Sequence, residues 1–141
     1  MKSLKKSFIT LFSLLAVSAI VFACSKSDKA PTITITSPTS TTSVAAGKDV
    51  TLTAELKSDK ENLKDYTYSV HPKGNHSTNT VAPVTVDIAS GNSKAASVNK
   101  TITIPASTTA GKYDVVLKAR DKKDKEGIVT VEITVTEKSG S

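Results

Sequence analysis

From Pro31 onward, apolar and polar residues alternate with a period of two, the spacing of strands that bury one face. Ile33 and Ile35 alternate with threonines until Ser37-Pro38 ends the run. After a turn at Gly47-Lys48-Asp49, Val50, Leu52, Ala54 and Leu56 alternate with Thr51, Thr53 and Glu55. Tyr66, Tyr68 and Val70 mark a third strand. Val84, Val86 and Ile88 mark a weaker fourth, and Pro83 just ahead of it puts that strand at a sheet edge, because proline has no N–H for a ladder. Gly91-Asn92 predicts a turn. Val98, Ile102 and Ile104 then share one face before Pro105. Tyr113, Val115, Leu117 and Ala119 make the sixth strand. Val129, Val131, Ile133 and Val135 make the last, with Thr130, Glu132 and Thr134 outward. No stripe at helical spacing interrupts this series, and residues 106–110 leave room for one short turn at most.

Seven short strands with turn signals between them predict an all-β fold, a seven-stranded immunoglobulin-like β-sandwich over residues 31–137, with 138–141 as a flexible tail. Ala110-Gly111-Lys112-Tyr113 has the pattern of a tyrosine corner, in which the Tyr113 phenol bonds back to nearby backbone. The plainer alternative is a half-buried strand aromatic. The tryptophan and cysteine pair of antibody domains are absent, which places the expected likeness among bacterial immunoglobulin-like modules.

The start of the chain follows a different pattern. Lys2, Lys5 and Lys6 precede an apolar run, Phe8 to Ala23, of 16 residues. A bilayer-crossing helix needs about 20, so the run reads as an export signal rather than a permanent span. Val21-Phe22-Ala23-Cys24 resembles a bacterial lipobox, with an aliphatic residue three before the thiol and a small one directly before it. That resemblance implies a diacylglyceryl thioether at Cys24, removal of residues 1–23, and acylation, as by palmitate, of the new amine. The alternative is an ordinary signal peptide that happens to end near a free cysteine. Residues 24–30 then form a lipidated tether, of which the six residues Ser25 to Ala30 span about 20 Å when fully extended. Anchoring of this kind is stable with two or more acyl chains. The residue after Cys24 is Ser25 rather than aspartate, which by analogy favours the outer membrane.

Charge adds little beyond this. Three of the 19 basic side chains leave with the signal, so the mature part carries 16 against 13 acidic ones. A surplus that small, outside the cytoplasm, argues against nucleic acid as a partner. Cys24 is the only cysteine, so no intrachain disulfide forms, and a lipidated thiol is neither nucleophile nor metal ligand.

Candidate chemistry is sparse. His71 and His76 bracket Pro72-Lys73-Gly74-Asn75, and two imidazoles around such a turn could share a Zn²⁺ or Cu²⁺ ion. Further ligands are wanting, with only Asp65 and Asp87 in the vicinity, and solvated loop histidines are the commoner case. Asp121, Asp124 and Glu126 could gather Ca²⁺, but Lys122, Lys123 and Lys125 lie between them and the spacing fits no calcium loop. A solvated hairpin tip is the simpler account. Lys118, Arg120 and Lys122 share an outward face that suits acidic glycans or lipid phosphates, or plain solubility. No nucleophile elbow, phosphate loop or HExxH pair occurs, so a non-enzymatic module is expected.

Several short pieces fall in one order along most of residues 31–136: Pro31 to Pro38, Ser69-Val70-His71 with His76 five on, Ile102 to Pro105, Gly111-Lys112-Tyr113, and Leu117 to Asp121. In that order the chain resembles a family of uncharacterised Bacteroidetes lipoproteins with an immunoglobulin-like domain of unknown function. The resemblance implies fold and envelope location and brings no activity. Members often look richer in histidine around this loop, where this chain has two. Three functional classes therefore stand as expectations: a lipid-anchored binding or accessory module for an envelope protein or glycan, a two-histidine metal binder, and a structural spacer.

Overall fold

The computed structural model describes residues 29–89, 93–138 and 140. The lipobox and Cys24, and the Gly91-Asn92 turn, lie outside them. Eight strands follow one another: β1 (Thr32–Ser37), β2 (Ser43–Ala45), β3 (Asp49–Lys57), β4 (Leu63–Pro72), β5 (Val81–Asp87), β6 (Ala95–Thr103), β7 (Gly111–Asp121) and β8 (Glu126–Thr136). They form a three-stranded sheet, β1-β3-β6, and a five-stranded sheet, β2-β8-β7-β4-β5. Among the described residues there is no helix, and none long and apolar enough to cross a membrane.

The alternation read from the sequence builds the core. Leu52, Leu56, Val98 and Ile104 from one sheet or its edge meet Val70, Val115, Leu117 and Ile133 from the other, all with no exposed surface. Each fully buried side chain of this size contributes about 1.5–3 kcal/mol through removal from water. A strand with period two delivers all its apolar groups to one side, so the two inner faces close on each other and leave the polar residues outside.

Two details differ from the sequence reading. Among the described residues the strands number eight, not seven, because β2 pairs in parallel with β8 through Ser43↔Thr134, Val44↔Val135 and Ala45↔Thr136. Three residues carry no readable period, and their partner lies some 90 positions away. Second, β5 begins at Val81, so Pro83 sits inside the strand rather than before it. The edge position of β5 makes this possible, since the face without an N–H has no neighbour to bond.

The two sheets also meet at one flank. The Pro31 carbonyl oxygen, leading into β1, packs against Gly127 of β8 so closely that a methyl group at 127 would lie 2.0 Å from it. Only glycine permits that approach. It fixes where the chain enters the sandwich: beside the β7–β8 turn.

Candidate ligand trough on the five-stranded sheet

The outer face of the five-stranded sheet is read most easily as cross-strand rows. One row runs Asp87–Asp65–Arg120–Glu126, the next Thr85–Thr67–Lys118–Ile128. A third runs Ser69–Val116–Thr130 and a fourth His71–Asp114–Glu132. Outward residues of an antiparallel sheet normally face water. Here Asp65, Ser69 and His71 are 3%, 6% and 7% exposed, and Val116 is buried as well. The face is a trough of about 590 Å³, with Ser69, Thr67 and Val116 along it and Ile128 standing 55% exposed on its rim.

The segment after β4 closes one end of this trough by folding back over the strand. Thr80 N–H bonds the Val70 carbonyl at 2.8 Å, and the His71 ring reaches the Thr78 carbonyl through Nδ1 at 3.0 Å. A carbonyl can only accept, so Nδ1 carries the proton. Nε2 is then free to accept from the Ser69 hydroxyl, 2.8 Å away. His71 thereby has both ring nitrogens in use and fastens the returning segment at Thr78 to the strand.

His76 lies above it, with ring centroids 5.1 Å apart and planes tilted by 36°. Its Nε2 meets the Asp114 carboxylate at 2.9 Å, and the same oxygen accepts from Gly74 N–H at 3.3 Å. Gly74 adopts φ +73°, a left-handed conformation that favours glycine. So the two histidines do come together, but each is already engaged by other protein groups. Among the described residues no three histidine, cysteine or carboxylate side chains gather as a metal site. Asp65 is instead held by Arg120, and Asp87 stands beyond it on β5.

The opposite end is ionic. Arg120 donates to both Asp65 oxygens at 2.9 and 2.7 Å, a fork that matches the carboxylate geometry. The hydrogen bond and charge of Asp65 hold the guanidinium further into its charged range. Lys118 pairs with Glu126 at 3.3 Å. Beyond His76, Glu132 is clamped by Lys112 and Lys73, whose hydrogen bonds hold its carboxyl below the usual range. Thr67 and Thr85 share a hydrogen bond of 2.8 Å between these ends. The trough is therefore hydroxyl-lined along its middle, with its charges internally balanced.

Of the acids around the last turn, Asp121 is 1% exposed rather than solvated at a hairpin tip. Its Oδ1 accepts from the N–H groups of Lys123 and Lys125 at 2.8 and 3.0 Å. It shapes the turn, which Asp124 passes at φ +59°. Asp124 pairs with Lys64 at 2.7 Å, and Glu126 starts β8. The trio diverges instead of converging on a cation. Lys118 and Arg120 line the trough, whereas Lys122 belongs to the turn. Tyr113 is buried, and its phenol donates to the Thr109 carbonyl, four residues upstream, at 2.8 Å. Nothing in the alternation singles out Ser69 or Ile128 as trough residues or Asp114 as the partner of His76; cross-strand pairing brings them there.

A family model described as a domain of unknown function, DUF4625, matches residues 22–136. The chain belongs to this family. No curated protein matches it. Among solved structures, the DUF4625 domain is similar to the fibronectin(III)-like modules of Clostridium thermocellum CbhA, with a TM-score of 0.54 and 13% identity over 77% of this chain and 100% of that one. A family 123 glycoside hydrolase from Clostridium perfringens matches at a TM-score of 0.43 and 12% identity, over 77% of this chain and 28% of the enzyme. Spo0M, the sporulation control protein of Bacillus subtilis, matches at 0.43 and 14%, over 76% and 49%. The first of these supports the fold: a two-sheet module like fibronectin III.

Proposed function

We propose that the mature protein is a bacterial envelope lipoprotein, anchored through Cys24 in the outer membrane, whose sandwich is a non-enzymatic module that holds a protein or glycan partner in the trough. The observation that carries this reading is the trough itself: a concave sheet face lined by hydroxyls, with Ser69 buried among them, by ion-paired charges and by the exposed aliphatic side chain of Ile128. Such a surface suits a polar partner of low net charge, with Ile128 as the apolar contact. The family match and the fibronectin-like fold are consistent with an accessory role.

Ser69 and His71 have the spacing of a nucleophile and its base. Acyl transfer also requires donors aimed at a developing oxyanion. β4 is paired on both sides, by β5 and β7, so its amides belong to the sheet ladders, and Ser69 lies buried beneath the loop. The pair supports a structural fastening. The metal reading would require His71 to give up Ser69 and His76 to give up Asp114, and nothing in the geometry favours it.

Affinity capture from envelope extracts tests the proposal. The expected result is a partner retained by the anchored wild-type protein, lost with Ile128→Glu, and kept when Thr51 on the opposite sheet is changed to Glu. A partner set indifferent to Ile128→Glu, or no partner at all, overturns the binding reading and leaves the spacer role.

A further inference from the structure

The topology gathers one end of the sandwich around the point where the chain enters. Thr32 pairs with Lys57, Lys57 with Ala95, Leu63 with Asp121, and Pro31 abuts Gly127. The β3–β4 loop, the start of β6 and the β7–β8 turn therefore lie at the same end as Pro31, where the chain enters β1. They interlock through Ser58 N–H to the Lys94 carbonyl, Leu63 N–H to Ser93 and Lys122 N–H to Asn62.

Charge on this end is uneven once pairs are removed. Glu61 is held by Lys123, Asp124 by Lys64, Asp65 by Arg120 and Glu126 by Lys118, while Asp121 is buried. That leaves Glu55, Asp59 and Asp87 as exposed acids outside these pairs. Against them stand Lys29, Lys57, Lys94, Lys122 and Lys125, all exposed and with no ion pair among the described residues. The opposite end carries Lys48, Lys73, Lys112 and Lys138 against Asp49, Asp114, Glu132 and Glu137, an even balance.

We infer that this lysine-bearing end is a docking surface for anionic phospholipid headgroups, so that the domain stands on the membrane with its β7–β8 turn down and the trough lying along its side. The inference rests on the Cys24 anchor proposed above. Six residues of chain reach at most about 20 Å, and the potential of a charged surface decays over a Debye length of about 8 Å at physiological salt. An anchor at Cys24 thus lets the lysines reach the surface potential, where each strengthens attachment about fivefold. The anchor supplies proximity; the lysines supply orientation.

The test uses the mature lipidated chain in vesicles carrying headgroup-level quenching lipids. Because lipid occupies Cys24, a fluorophore on a single introduced cysteine is unambiguous: Asp59→Cys at the tether end, Ser107→Cys at the far end. In phosphatidylglycerol-containing vesicles, quenching at 59 is expected to exceed that at 107 severalfold. The difference is expected to shrink at 1 M salt, where the Debye length is about 3 Å, and in the Lys57→Gln, Lys94→Gln, Lys122→Gln, Lys125→Gln variant. Equal quenching at both sites, or a difference unchanged by salt and by the four substitutions, overturns the docking surface while leaving the anchor intact. Failure of the mature chain to sediment with zwitterionic vesicles refutes the anchor itself.

Discussion

Ser69→Ala removes one oxygen and tests how the trough is held. The hydroxyl donates to Nε2 of His71, a ring 7% exposed whose other nitrogen is committed to the Thr78 carbonyl. Deleting the donor forfeits a hydrogen bond worth about 1 kcal/mol net and leaves a buried acceptor unsatisfied, at about 1–3 kcal/mol. The alanine methyl group fills most of the space, so the cavity contribution is small. The expected loss is about 1–3 kcal/mol, a sizeable share of the 5–15 kcal/mol typical of a domain. Urea unfolding should show a lower midpoint at an unchanged slope, because the exposed surface on unfolding does not change. Native-state hydrogen exchange should show the faster opening at Thr80, whose N–H bonds Val70 next to the histidine. A stability change under about 0.5 kcal/mol, or exchange accelerated evenly across the sheet, would refute the idea that Ser69 and His71 fasten this loop.

Other expectations follow from single contacts. Tyr113→Phe deletes the bond to the Thr109 carbonyl and should cost about 1 kcal/mol, seen as a fall of several degrees in Tm. Gly127→Ala forces the Pro31 carbonyl away from a methyl 2.0 Å from it, and should destabilise by about 1–3 kcal/mol, whereas alanine at Gly140, which meets nothing within 4 Å, should be silent in the same melt. Glu132 has its carboxyl held low by Lys112 and then Lys73, so its stabilising contribution is complete above the ordinary carboxylate pKa and fades as pH falls through the lowered value. Glu132→Gln should therefore reduce the acid-side slope of stability against pH; an identical slope would show that the clamp is idle.

Much of the body was legible because period two is a local property. Tyr113, Val115, Leu117 and Ala119 alternate in the sequence and all four are buried in the structure. The short β2 was not legible, since its only support is a parallel pairing with β8. The trough was hidden for a related reason. Asp65, Ser69 and His71 occupy outward positions of a strand whose inward residues are Tyr66, Tyr68 and Val70, and the pattern therefore reads them as solvated. Their burial comes from a returning loop and from Arg120, 55 residues beyond Asp65. Likewise the carboxylate that engages His76 is Asp114, 38 positions on. Such encounters are set by strand register, which alternation constrains to a face but not to a neighbour.

Intact mass measurement of the protein extracted from bacterial membranes tests the anchoring directly. The account predicts a chain beginning at Cys24, heavier than its amino acids by a diacylglyceryl thioether and an amine-linked acyl group. A free sulfhydryl at Cys24, or a mature chain beginning at any other residue, would contradict it.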